Sequence, residues 1–200
     1  MGDLIGVFGG TFDPPHIGHC ILAEGARHHL ALDVVYWIPA GEPPHKPDWP
    51  ISSIAKRQRM VESITAQNPC FEISRIDIDR PGPHYAKDTL ALLHESHPHA
   101  RLIYLMGADS LRDLNLWKAP EHFVQRTHAI GIMQRPHVEY DRTEIQKLIP
   151  GLSEKLRFFP APLIDISGQI IRQRVKAGLP IRYMVTSPVY ELILRYKLYQ

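Results

Sequence analysis

The sequence predicts an α/β fold: a doubly wound, mostly parallel sheet with helices on both faces. Three observations carry that prediction. Runs at 4–8, 34–38 and 102–106 are apolar without the alternation of a half-solvated strand, as expected of strands covered on both sides. Segments of helical length and periodicity separate these runs, so strand and helix alternate along the chain. The first run is cut off by Gly9-Gly10 and followed, after a short proline-stiffened loop, by a helical pattern. In such a fold ligands sit beyond the carboxyl ends of the strands.

Taken in order, the first strand ends at Gly9-Gly10, Asp13-Pro14-Pro15 stiffens the loop, and periodic apolar residues from Ile17 to Leu30 predict the first helix. The run at 34–38 closes a βαβ unit. Pro43, Pro44, Pro47 and Pro50 make 40–50 a stiff loop rather than a linker. Ser52 or Ser53 can cap a helix to about Gln67, with Ile54, Val61 and Ile64 on its inner face and Asn68-Pro69 at its end. The imperfect alternation of Phe71, Ile73, Ile76 and Ile78 predicts a third strand. A turn-rich loop at 79–83 leads to a helix over 89–94. The fourth strand, 102–106, ends at Gly107-Ala108-Asp109-Ser110, which can cap a short helix. A fifth, 128–133, ends at Arg135-Pro136, and short extended runs follow at 156–159 and 163–166. Ser167 caps a helix through Ala177 that Gly178 closes in the left-handed conformation. Ser187-Pro188 supplies the N-cap and first residue of a closing helix to about Tyr196. Gly9, Pro39, Asp109, Arg135 and Ser167 each follow a predicted strand, so they gather along one edge.

The chemistry begins in the first turn, Gly6-Val7-Phe8-Gly9-Gly10-Thr11-Phe12-Asp13-Pro14-Pro15-His16-Ile17-Gly18-His19. Open N–H groups and the dipole of the following helix favour an anion there, and glycines let a phosphate lie against the main chain. His16 and His19, three apart, share one face of the first helical turn. Taken singly, Gly-Gly is an ordinary turn, and the histidine pair reads equally as a surface pair or half a metal site. No Cys, Asp or Glu completes a ligand set nearby in sequence, so zinc is unattractive. The conjunction of glycines, Thr11, Asp13-Pro14 and H-x-G-H in one βα turn favours a phosphate-handling site. Further along, Pro43-Pro44-His45-Lys46 reads as a rigid basic loop suited to phosphate, or as an ordinary solvated lysine. Asp109 is placed to accept from ribose hydroxyls. Trp117 is either a core aromatic or a flat face for a pyridinium ring. Ser167 opens a helix carrying Arg172, a combination suited to a polyphosphate tail.

The first turn resembles the signature of the nucleotidyltransferase superfamily that shares an HxGH-type motif with class I aminoacyl-tRNA synthetases. Written GGTFDPPHIGH, it looks most like bacterial nicotinate mononucleotide adenylyltransferases. The resemblance extends over essentially the whole chain, and implies a Rossmann-like fold with residues 1–200 as one nucleotidyltransferase domain, its helical part from about 167 packed on the rest. It implies adenylyl transfer from ATP to nicotinate mononucleotide in NAD biosynthesis, with Mg2+ carried on the triphosphate and bound mainly by nucleotide and water. ATP contacts fall on Gly9, Gly10, Thr11, Phe12, His16, His19, Gly107, Asp109, Ser167 and Arg172. Mononucleotide contacts fall on His45, Lys46, Tyr85, Ala86, Thr89, Asp109, Trp117 and Arg135, with His16, His19, Arg172 and Lys46 catalytic and no protein metal site. Trp117 corresponds to the tryptophan that stacks on the nicotinate ring. Two departures are visible. Gly168-Gln169 stands where Ser or Ala followed by Thr is usual, and Pro83-His84-Tyr85-Ala86 replaces a segment with Ser and Thr at 84 and 86, the threonine helping to hold the carboxylate.

Composition fits this reading. The chain has 200 residues, 44% of them apolar, enough for one full core. Lys and Arg total 23 against 21 for Asp and Glu, a balance that argues against a dedicated nucleic-acid binder. Cys20 and Cys70 form no motif and read as reduced thiols of a cytoplasmic protein. No run approaches the ~18 apolar residues of a membrane helix, and the opening residues lead into a strand rather than a signal peptide. Rival readings are another transferase of the superfamily, acting on nicotinamide mononucleotide or phosphopantetheine, and a non-catalytic nucleotide sensor. A class I synthetase is disfavoured, because no KMSKS segment or basic extension is present.

Overall fold

The computed structural model describes residues 2–42, 51–134, 147, 149–162 and 164–200. Strands β1 (Leu4–Gly10), β2 (Val34–Pro39), β3 (Phe71–Ile73), β4 (Arg101–Gly107), β5 (Ala129–Met133) and β6 (Leu156–Phe159) form a sheet in the order β3-β2-β1-β4-β5-β6. Every pairing is parallel. The chain winds outward from β1 on one side, then crosses and winds outward from β4 on the other. The strand order therefore switches between β1 and β4, where Val7 stands beside Tyr104. A crevice opens at such a switch because the flanking connections leave in opposite directions.

The pleat sends alternate residues to opposite faces, and both faces are covered. Helices α1 (Ile17–His29), α2 (Ile54–Thr65), α7 (Gly168–Lys176) and α8 (Ser187–Arg195) close one side over Phe8, Val35, Trp37, Ile103 and Leu105. Helices α3 (Ala86–Ser96), α4 (Ala108–Arg112) and α5 (Pro120–Arg126) close the other over Ile5, Val7, Ile38, Leu102, Tyr104 and Met106. This two-sided burial is why the strands read as unbroken apolar runs. A short helix, α6 (Leu152–Lys155), leads into β6. Ile171 of α7 and Val189 and Ile193 of α8 are fully buried, each contributing about 1.5–3 kcal/mol. The last two helices are thus held by the same core as the sheet.

Several element boundaries differ from expectation. β3 stops at Ile73, because the N–H groups of Ile78 and Asp79 both donate to the Arg75 carbonyl (2.8 and 2.9 Å) and curl that stretch into a turn. Ile76 then packs onto the second face without joining the sheet. α3 begins at Ala86 and runs to Ser96, longer than 89–94 at both ends. Gly107 is the N-cap of α4, so Asp109 and Ser110 lie inside its first turn and do not cap it. Thr186 occupies the N-cap position of α8, one residue before the expected Ser187, without a side-chain capping bond. Residues 164–167 form no strand. Both ends of α7 are as predicted from sequence: at its start Ser167 Oγ accepts from the Ile170 N–H (3.2 Å), and after its end Gly178 has φ +68°.

Candidate functional site

The glycines after β1 are fixed by what lies against them. A Cβ on Gly9 would stand 2.8 Å from the Tyr104 hydroxyl, and one on Gly10 would stand 2.9 Å from the Phe12 ring. Phe12 itself has φ +50°, in the left-handed region. That conformation turns its ring inward, 2% exposed, against Phe8 (5.4 Å) and Trp37 (5.3 Å). Phe12, expected to meet ATP, therefore has only its main chain to offer a ligand. Its ring instead leans on His19 at 5.1 Å, with Phe8 at 5.9 Å on the same imidazole.

His16 occupies the N-cap of α1 and is 7% exposed, its ring stacked on His19 at 3.7 Å. The His16 N–H donates to Nδ1 of His19 (3.1 Å). Neutral His19 therefore carries its proton on Nε2. A Cβ on Gly18 would fall 3.1 Å from the His16 ring, so glycine in the H-x-G-H string lets His16 fold over the helix start.

Two cavities meet at the carboxyl ends of β1 and β4. The larger, about 320 Å3, is lined by Phe8, Gly9, His16, His19, Gly107, Ser110 and Ser167 among others. The smaller, about 160 Å3, is lined by Gly9, Gly10, Thr11, Asp77, Tyr85, Ala86, Lys87 and Thr89 among others. Gly9, Tyr104 and Trp117 line both. Trp117 is half-buried and meets Phe123 (5.2 Å) and Tyr104 (6.0 Å) edge to face. Burial holds the Tyr104 hydroxyl far above the ordinary phenol range, so it stays neutral.

A buried network supports the smaller cavity. Asp77 accepts from Arg80 (2.8 Å) and from the Thr89 hydroxyl (2.8 Å), so Thr89 spends its donor inside the wall. His84 accepts the Glu42 N–H at Nδ1 (2.8 Å) and faces the Arg80 carbonyl at Nε2 (3.1 Å). That ring bridges the loop after β2 and the loop before α3. Ala86 is the first residue of α3 and Lys87 the second, positions whose N–H groups have no carbonyl partner within the helix.

Asp109 is exposed on the first turn of α4 and lines neither cavity. Arg172 donates from Nη1 to the Asp13 carbonyl (2.6 Å), beside Gly168, whose Cβ would stand 3.0 Å from that oxygen. His45, Lys46 and Arg135 lie outside the described residues.

Two residues organise the loops: Arg57, which the sequence reading passed over, and Asp13, whose side-chain partners it did not foresee. Arg57 of α2 is 1% exposed and bonds four main-chain carbonyls: Ser52 (3.0 Å), Thr11 (2.9 Å), Ala40 (2.7 Å) and Gly41 (2.9 Å). Burial lowers its pKa and the Asp13 carboxylate raises it. Its spacing from Val61 and Ile64, four and seven residues on, places it on the inner face of α2, and that was the available signal. Asp13, 5% exposed, accepts from the Ser52 N–H (3.1 Å) and from the Tyr199 hydroxyl (2.6 Å). Among the described residues no group of three His, Cys, Asp or Glu is placed to hold a metal ion.

A family model described as cytidylyltransferase-like matches residues 7–174. A "probable nicotinate-nucleotide adenylyltransferase" of Thermomicrobium roseum is 43% identical over 98% of this chain and 91% of its own length. One of Roseiflexus castenholzii is 40% identical over 98% and 97%. Among solved structures, the Plasmodium falciparum nicotinic acid mononucleotide adenylyltransferase complexed with NaAD superposes with a TM-score of 0.81 at 20% identity, covering 98% of this chain and 97% of that one. That likeness shows the fold.

Proposed function

The chain belongs to the cytidylyltransferase-like family and, within it, to the nicotinate-nucleotide adenylyltransferases, and from that premise we propose that it joins the adenylyl group of ATP to nicotinate mononucleotide, releasing pyrophosphate. The observation that supports this reading is the pair of cavities meeting over Gly9, one walled by the histidines and the other by the start of α3. The larger would take MgATP and the smaller the mononucleotide.

The nucleophile is a phosphate monoester whose second pKa is ~6, largely dianionic near neutrality, so no general base is required. What remains is to bring two anions together and to stabilise charge during an in-line displacement. The glycine loop, His16 and His19 would hold the triphosphate. Arg172 would hold the departing pyrophosphate, and Lys46 would help draw the anions together. Mg2+, arriving on ATP, adds charge neutralisation. Incubating the protein with MgATP and each mononucleotide, and following dinucleotide formation, tests the assignment. Product from neither would overturn it.

Two predictions arise from the smaller cavity. If Trp117 stacks on the pyridine ring, Trp117→Ala should weaken mononucleotide binding by about 0.5–2 kcal/mol and leave ATP affinity nearly unchanged. Equal losses in titrations of both ligands would assign it to the core instead. At Ala86, the acid substrate should still be preferred. Oriented N–H groups pair with a carboxylate, whereas an amide meets them with its own NH2 and leaves groups unsatisfied, at roughly 1–3 kcal/mol each. With no hydroxyl at 86 and that of Thr89 bound to Asp77, the margin rests on the main chain. Ala86→Thr should raise the ratio of kcat/KM for the acid over the amide. An unchanged ratio would place residue 86 away from the carboxyl group.

A further inference from the structure

Tyr199 lies 186 residues beyond Asp13, yet its hydroxyl donates to Asp13 Oδ1 at 2.6 Å. Burial and the adjacent carboxylate hold that hydroxyl far above the phenol range, so it remains a donor. The other carboxylate oxygen takes the Ser52 N–H at the head of α2, and the Asp13 carbonyl takes Nη1 of Arg172. Asp13 thus joins α2, α7 and the segment after α8, four residues beyond its end, while lining neither cavity itself. Between Asp13 and His16 stand only Pro14 and Pro15, both buried, whose rings fix φ and leave little slack. A shift of Asp13 is therefore carried both along the main chain to His16 and across a hydrogen bond to Arg172. Gly168 permits the second connection, since a Cβ there would stand 3.0 Å from the Asp13 carbonyl and 3.3 Å from Nη1 of Arg172.

From this we propose that Tyr199 is a positioning residue for the triphosphate site, holding the Asp13 carboxylate and, through the Asp13 main chain, the places of His16 and the Arg172 guanidinium. The inference rests on the reaction proposed above but concerns only its ATP side. Tyr199 touches no reacting atom. Its effect should fall mainly on one substrate, because the wall of the smaller cavity at Asp77, Thr89 and His84 is held by bonds in which Asp13 takes no part.

The test is Tyr199→Phe, which removes the hydroxyl and keeps the ring, alongside Tyr199→Leu, which removes both. KM for ATP in Tyr199→Phe should rise about tenfold, the size of one hydrogen bond to a charged group. KM for the mononucleotide should stay within about twofold in the folded variant. Direct titration with a non-hydrolysable ATP analogue should show the same tenfold loss. An ATP KM and analogue affinity equal to the parent's in Tyr199→Phe would overturn the proposal, leaving the ring as mere packing. Equal rises for both substrates would also overturn it, as general loosening. A parent protein that binds the analogue but makes no dinucleotide would count against the reaction. The analogue titration would still decide the role of Tyr199.

Discussion

Turnover of His19→Ala is expected to fall on the order of 10²–10³-fold, with the fold intact. The figure is that for removing one donor aimed at developing negative charge. His19 is suited to this role by its surroundings. The His16 N–H occupies Nδ1, two phenyl rings brace the imidazole, and the ring proton of neutral His19 sits on Nε2. The loss should fall mainly in kcat, since charge on the phosphates grows in the transition state. His19→Asn, which can keep one donor in place, should recover part of it. A purified, folded His19→Ala enzyme within a few-fold of the parent in steady-state assays would remove His19 from the chemistry.

The largest effect on stability is expected from Arg57→Met. Methionine fills much the same volume on the inner face of α2 but offers no donor to the carbonyls of Thr11, Ala40, Gly41 and Ser52. Leaving a buried carbonyl without its donor costs about 1–3 kcal/mol, and four carbonyls lose theirs here. Part of that cost is offset because a desolvated guanidinium also leaves the interior. Urea denaturation of the two proteins measures the difference. A loss below about 1 kcal/mol would mean that the loops around β1 hold their places without the guanidinium.

What could be read from the sequence and what could not divide along physical lines. Strands of pure apolar composition, such as 34–38 and 102–106, were legible because burial on both faces leaves no alternative pattern. The 71–78 stretch misled because an alternation of apolar residues does not reveal that Arg75 accepts two N–H groups in a turn. Helix starts slipped by a residue or three where the cap is a glycine or a threonine beside a more obvious serine, as at Gly107 and Thr186. Gly9, Gly10, His16 and His19 were legible only in conjunction, as one βα turn, and all four line the two cavities. The inward turn of the Phe12 ring was not legible, because a left-handed φ decides where it points and no pattern encodes that. Arg57 and Tyr199 act on residues distant in sequence, and only the folded chain brings them together.

The wall shared by the two cavities has a kinetic corollary. Gly9, Tyr104 and Trp117 serve both halves, so a dinucleotide formed there would inherit the contacts of two ligands while losing the freedom of only one body. Such a product would hold on more tightly than either substrate. Release would then compete with bond formation for control of the overall rate, and accumulated product would restrain its own synthesis.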